Sequence, residues 1–291
     1  MKKPAKPPHQ AVDPQPVEKR LGEAIRENDD FGHELRVGLN LHGAGADVIH
    51  GWSYSDPISG KIRQFDLRAT LEHWSLPRFV HLALEAKNLA KDTALVVAGT
   101  SRDSNESFHD VVASEWSHGE VRSWIERTQG TNYAYPVNGF VGKSLLTFAG
   151  LDTGQIAKTG KESEVYDRWT QALASAHDLC KAALTAAKKP DQVTRSLILP
   201  GVVVPDGTLW AAEYEIDGEL MEGHPKPVDS ATLFLNHEIE VKPHNNWMNI
   251  SHLHFWTLNG LRGFLESLAN VKASWDEWFP ASVKRHEPSV R

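Results

Sequence analysis

A chain of 291 residues with 40% hydrophobic and 24% charged residues has an ordinary globular composition, with length for one large domain or two modest ones. Its net charge of −7, from 31 Lys+Arg against 38 Asp+Glu, speaks against non-specific coating of nucleic acid, whose affinity is mainly phosphate neutralisation. The single cysteine, Cys180, excludes an intramolecular disulfide and any multi-cysteine zinc site; among alanines in a helical stretch it reads as a core thiol in a reducing, cytoplasmic protein.

The first residues, MKKPAKPPHQAVDPQPVEKR, begin with lysines but have no apolar stretch behind them, so they read as a disordered arm over 1–16 and not as a signal peptide. No run of 18 apolar residues exists, which excludes a hydrophobic spanning helix and predicts no membrane partner. From Val17 to His42 the pattern is helical, with Leu21, Ile25, Leu35 and Leu39 at helix-compatible spacing, a division at NDDFG, and glycines 43 and 45 as the stop. ADVIHGWSYSD, a turn at PISGK, the alternating IRQFDLRATL and then FVHLALEAKN predict a three-stranded meander.

Beyond it, TALVVAG reads as a strand, SRDSNESFHD as a polar loop, SHGEVRSWIERTQG as a short helix and GFVGKSLLTFAG as a strand. Residues 164–189 form the strongest helix, with Val165, Trp169, Leu173, Ala176, Leu179, Cys180 and Leu184 as its apolar face and Pro190 after its end. TRSLILPGVVVPDGTLWAAEYE predicts two strands around a turn at PDG, and HLHFWTLNGLRGFLESLANVK an amphipathic helix capped by Ser251. Without repeats or a clear linker, one α/β domain over 17–280 is expected, with an insertion at about 89–162 and a polar tail over 281–291.

Period-two geometry carries the chemistry. On IRQFDLRATL, Phe65, Leu67, Ala69 and Leu71 share one face and leave Gln64, Asp66 and Arg68 on the other; on the next strand, Val80, Leu82, Leu84 and Ala86 leave His81, Glu85 and Lys87. If the strands pair around residues 72–78, Asp66 comes beside Glu85 and Lys87. Two converging carboxylates repel unless a cation lies between them, and hard oxygen donors with room for water suit Mg²⁺ or Mn²⁺. A lysine there can orient the attacking water or help to deprotonate it.

Asp66, eighteen intervening residues and then Glu85-Ala86-Lys87 resemble the PD-(D/E)XK nuclease motif of the restriction-endonuclease-like superfamily. The approach YSDPISGKIRQFDLRA resembles that family's turn into the aspartate strand, and the helix of HELRVGLNLHGAG stands where its first helix would. The resemblance covers residues 17–204 apart from the insertion, and two positions depart from it: Gln64 stands where an acid is frequent, and the proline of the motif is absent. It implies a central mixed sheet flanked by helices and hydrolysis of phosphodiester bonds, in DNA as the first expectation. It also implies Asp66 and Glu85 as metal ligands, the Ala86 carbonyl facing the metal, Lys87 aligning water, Glu34 as an accessory ligand and Gln171 as the glutamine of the following helix. A homodimer would suit double-strand cutting. The alternative is a catalytically idle module of the same fold that binds nucleic acid or a partner protein.

Other features have simpler readings. NGFVGKS lacks the Walker A glycine, since position 137 is Val, although Lys143 and Ser144 remain candidates for a phosphate contact. His237, His244, His252 and His254 match no zinc-motif spacing, so surface or helix-capping roles are expected and a histidine-based metal hydrolase is a minor alternative. Trp169 and Trp256 are expected in the core, while Trp52, Trp74 and Trp116 are candidates for stacking on a base. Lys61, Arg63 and Arg68 are balanced between phosphate contact and a solvated strand face.

Overall fold

A computed structural model describes residues 16–56, 60–129, 134–159, 162–187, 189, 192–241, 246–279 and 284–285. The arm expected over 1–16 lies outside them except for Pro16. Two helices come first, α1 (Val17–Asn28) and α2 (Asp30–Gly43), divided within NDDFG. Asp29 makes the division, because its side chain accepts from the Phe31 N–H at 3.1 Å and caps α2. The buried face of α2 is His33, Val37, Gly38 and Leu41. Leu21 and Ile25 of α1 and Leu35 and Leu39 of α2, at helix-compatible spacing in the sequence, are exposed.

The strands β1 (Asp47–His50), β2 (Ser53–Ser55), β3 (Ile62–Gln64), β4 (Leu67–Glu72) and β5 (Arg78–Ala86) follow. The meander is β1, β4 and β5, all antiparallel, and β2 and β3 form a separate ribbon between β1 and β4. The next strands are β6 (Ala94–Ser101), β7 (Phe108–Ser117), β8 (Glu120–Gln129), β9 (Phe140–Ala149) and β10 (Ala157–Lys158). The helix expected at SHGEVRSWIERTQG is the turn and second strand of the β7–β8 hairpin. His118 and Gly119 have φ of 53° and 86°, the two positive values of a tight hairpin turn, which bring β8 back against β7. The polar loop expected at SRDSNESFHD keeps a short 3₁₀ turn at Ser104–Glu106, after which Phe108 begins β7.

Helix α3 (Glu162–Ala183) leads into β11 (Val193–Val204), β12 (Leu209–Glu213), β13 (Lys226–Pro227), β14 (Ser230–Val241) and β15 (Asn246–Thr257). Helices α4 (Leu258–Asn270) and α5 (Lys272–Trp278) and the short strand β16 (Lys284–Arg285) complete the described chain. HLHFWT therefore ends a strand and does not begin a helix. The cap of α4 is Thr257, whose hydroxyl accepts from the Gly260 N–H at 3.1 Å, not Ser251.

All but β2 and β3 join one 14-stranded mixed sheet, in the order β1-β4-β5-β11-β15-β14-β9-β6-β12-β13, with β7, β8, β10 and β16 branching from it. The strands around PDG are not neighbours: β11 lies parallel to β5, while β12 lies parallel to β6. On its other edge β11 changes partner, pairing with β7 over Val193–Ser196 and with β15 over Gly201–Val204. Pro200, which has no N–H to give, occupies the gap between those partners. A Cβ on Gly201 would meet the Trp256 ring at 2.4 Å, so glycine lets that indole lie across β11.

Two apolar layers sandwich the β5–β11–β15 region. Trp169, Leu173, Ala176 and Cys180 of α3 pack on one face with Ala83, Val202 and Phe255, and Leu184, just past α3, joins them. Val37 and Leu41 of α2, with Leu261 and Leu265 of α4, pack on the other with Leu84, Ala86, Val203 and Trp256. Trp169, Trp256 and Cys180 are thus core residues as expected; the side chain of Val165 lies outside the described set. No helix among the described residues is long and apolar enough to cross a membrane.

Candidate functional site

The β4–β5 hairpin sets the geometry. Its last pair is Leu67 with Leu84, and the next step brings Asp66, just before β4, opposite Glu85 near the end of β5. Phe65, Leu67, Ala69 and Leu71 are buried on the face opposite Asp66, and Val80, Leu82, Leu84 and Ala86 are buried on theirs, which pins the register. The Ala86 N–H donates to Asp66 Oδ2 at 2.9 Å, so this peptide edge faces the carboxylate. Lys87 Nζ lies 2.8 Å from Glu85 Oε1 and 3.5 Å from Asp30 Oδ2.

Gln171 reaches the same carboxylate from α3. With its amide nitrogen turned toward Glu85, as the surrounding donors and acceptors require, it donates to the two oxygens at 3.0 and 3.1 Å. Asp66, Glu85, Lys87 and Gln171 therefore come together from three chain segments. Glu34 is held differently: its Oε2 lies 2.8 Å from His50 Nε2, although its charge still acts on Asp66. Among the described residues no group of three or more His, Cys, Asp or Glu side chains is close enough together to hold a metal ion. The donors that face one another are two carboxylates, with the Ala86 peptide edge beside them.

The electrostatics follow from burial. Glu85 is 2% exposed, and burial, reinforced by the Asp66 charge, pushes its carboxyl up from 4.5 to about 7 against the pull of Lys87. Asp66 is raised as well, by burial first and then by Glu34, with the Ala86 N–H and Lys87 opposing. Burial would lower the Lys87 ammonium, but the charges of Glu85, Asp66 and Asp30 outweigh it and raise the group. Lys87 is thus an ammonium, suited to orienting and neutralising and not to accepting a proton. Three acids, Asp30, Asp66 and Glu85, act on this one ammonium, so the site has a surplus of negative charge.

No protein-family model, curated protein or solved structure matches this chain.

Several residues that support the site were not singled out in the sequence. Asp30 Oδ1 accepts the Asn88 N–H at 2.7 Å and so ties the start of α2 to the end of β5. His33, buried and lowered by that burial, is neutral and bonds the Val203 carbonyl at 3.0 Å, which also accepts the Lys87 N–H at 2.9 Å. Tyr54 and Phe65 carry the Arg68 guanidinium over their rings at 5.1 and 4.2 Å. Arg68 then bonds Ser175 Oγ and Asp178 Oδ2, each at 2.9 Å, so it fastens α3 to β4 and is spent on neither phosphate nor solvent. The signal for these partners was thin: a DD pair within NDDFG and one Tyr in a polar strand.

The remaining candidates fall elsewhere. Arg63 pairs with Asp56 at 2.6 Å, and Lys143 pairs with Glu106. Trp52 is 69% exposed and next to Gly51, whose N–H donates to the Asp66 carbonyl at 3.0 Å. Trp74 stacks on His73 at 4.1 Å by the far turn of the hairpin, and Trp116 is the penultimate residue of β7. The histidines of β15 contradict the expected surface or capping roles: His252 and His254 are buried, bonded to Ser251 Oγ at 2.9 Å and Tyr135 OH at 2.7 Å. They lie on a strand covered on that face, and His244 lies outside the described residues.

Proposed function

We propose that the chain is a metal-dependent nuclease of the PD-(D/E)XK type that hydrolyses phosphodiester bonds, in DNA as the first choice of substrate. The observation that carries this reading is the meeting of Asp66 with Glu85 and Lys87 across a hairpin, in a pocket with surplus negative charge. The chain order around it supports the same reading once the β2–β3 ribbon and β6–β10 are set aside: a helix, three antiparallel strands, a helix, then a strand parallel to the third.

The oxygen donors fit Mg²⁺ or Mn²⁺. Asp66, Glu85 and the Ala86 carbonyl would hold the ion, and water would fill the remaining positions, since Mg²⁺ keeps several waters. Bound there, such an ion supplies polarisation of a phosphoryl oxygen and a water of lowered pKa. Gln171 fixes the Glu85 carboxylate in place, and the Lys87 ammonium orients the attacking water and offsets charge gathering on the phosphate. Trp52 offers an exposed ring beside the site for a base to stack on.

Purified protein with Mg²⁺ or Mn²⁺, offered linear, circular, nicked and single-stranded substrates, is expected to cleave at least one. Lys87→Ala and Asp66→Ala should each abolish that cleavage with the fold retained; undiminished cleavage by both variants would refute the reading. A second reading, an idle module of the same fold that binds nucleic acid or protein, is favoured by the pairing of Glu34 with His50. Mn²⁺ titration separates the two, because only the nuclease requires an affinity that depends on Asp66.

A further inference from the structure

A second cavity, of about 570 Å³, opens on the opposite face of the sheet. Trp256 belongs to the layer of α2 and α4, whereas Glu85 shares its face with Val202 and Phe255, so the two sites are separated by the sheet. The cavity walls include the rings of Tyr135, Trp256, Phe264 and Trp278, with Thr232 between them and Arg102 at one side.

Arg102 is the unusual component. It is 4% exposed, and its partners are the carbonyls of Pro136 and Phe140 at 3.1 and 3.2 Å and Thr232 Oγ1 at 3.1 Å, all neutral. Its Nε–H is buried without a partner. Among the described residues no carboxylate forms an ion pair with it; Glu106 acts on it only at a distance and is itself engaged by Lys143 and by the Asp103 N–H at 3.2 Å. A buried guanidinium without a counter-ion is costly to keep, and proteins usually pair such charges. The rest of the cavity supplies no balancing charge, because His254 is lowered to about 3 by burial and is neutral, and Tyr135 is raised and keeps its proton.

We propose that this cavity binds a small anion carrying a flat aromatic ring, of the nucleoside monophosphate class, with the oxyanion on Arg102 and the ring among Tyr135, Trp256, Phe264 and Trp278. The volume lies within the range of small-molecule sites, about 300–1,000 Å³, and Arg102, which gives three of its five N–H groups to Pro136, Phe140 and Thr232, keeps a terminal N–H and its charge for an oxyanion. Aromatic walls accept any base by its π-face. The proposal is independent of the nuclease reading, since no residue is shared with that site.

The test uses the full-length protein and calorimetry, with intrinsic tryptophan fluorescence, to which Trp256 and Trp278 contribute, as the second measurement. AMP, GMP, CMP and UMP are titrated alongside adenosine, inorganic phosphate and benzoate, which separate ring, anion and a simpler aromatic anion. At least one monophosphate should bind below about 1 mM, and more tightly than all three controls. Arg102→Met should weaken it by roughly tenfold or more, the scale of a charge-assisted hydrogen bond. Gly263→Leu guards against misfolding of the arginine variant: a Cβ there meets nothing within 4 Å, so the new side chain can fill the cavity mouth without strain. It should abolish binding while the melting temperature holds. Absence of binding by all four monophosphates, equal binding by phosphate or benzoate, or unchanged affinity in Gly263→Leu would overturn the proposal.

Discussion

Replacing Glu85 by glutamine keeps its shape and one of the two oxygens that accept from Gln171, but removes the charge that burial opposes. In the folded chain that carboxyl titrates at about 7 instead of 4.5, a difference of about 3 kcal/mol at about 1.4 kcal/mol per pH unit. The sign follows from the direction of the shift. A group raised on folding contributes its stability fully below its unfolded value, here 4.5, and loses it as pH rises through about 7. Stripped of metal with EDTA, the wild-type protein should therefore lose about 3 kcal/mol between pH 4.5 and 8 relative to Glu85→Gln, or roughly 6 °C in melting temperature for a chain of this size. The comparison matters, because His109, His252 and His254 are lowered by burial and destabilise both proteins equally as pH falls below 6.5. Urea unfolding at pH 5, 6, 7 and 8 measures the difference. At pH 8, Mn²⁺ should restore wild-type stability and leave Glu85→Gln much less affected, whereas at pH 5 the protonated carboxyl should give little response. Parallel stability curves for the two proteins in EDTA would refute the reasoning, since burial and the Asp66 charge would then be relieved in some other way.

Three further expectations concern the surroundings of the site. Gln171→Leu removes both donors to Glu85 and should weaken Mn²⁺ binding about 10- to 100-fold, as loss of a group that orients a ligand usually does, read by calorimetry with the melting temperature as control. Arg68→Met breaks the bonds to Ser175 and Asp178 and the stack on Phe65, and should cost about 1–3 kcal/mol in urea unfolding. Trp52→Ala should leave stability unchanged and weaken single-strand binding, measured by fluorescence anisotropy, by about 1–3 kcal/mol if its exposed ring stacks on a base.

The pairing of Asp66 and Glu85 was legible because it is local. Alternation fixed which residues of each strand share a face, and a connection of a few residues fixed which strand lies beside which, so two periodic patterns sufficed to bring the carboxylates opposite each other. Glu34 shows where this stops. Its place on a helix before the meander was readable, but its rotation toward His50 depends on how α2 settles on the sheet. The same rotation of α2 exposes Leu35 and Leu39 and buries His33, whose polarity hid it until Val203 appeared as its partner. The β7–β8 hairpin was missed because its turn, His118-Gly119, is not among the commonest hairpin dipeptides, and the alternation behind it is broken by charged residues.

Distance along the chain decides the rest. Arg102, Tyr135, Thr232, Trp256 and Trp278 come from widely separated segments, and no short window of sequence contains two of them. A buried arginine can be recognised only once its surroundings are known, because its sequence neighbours, Ser101 and Asp103, suggest a solvated loop. The β15 histidines illustrate the same point: in sequence they suggest surface or capping roles, yet strand geometry puts His252 against Tyr135 at 3.8 Å and His254 on its hydroxyl. Those rings complete the wall that holds Tyr135 beside Arg102, so the two histidines shape the cavity proposed for an anion.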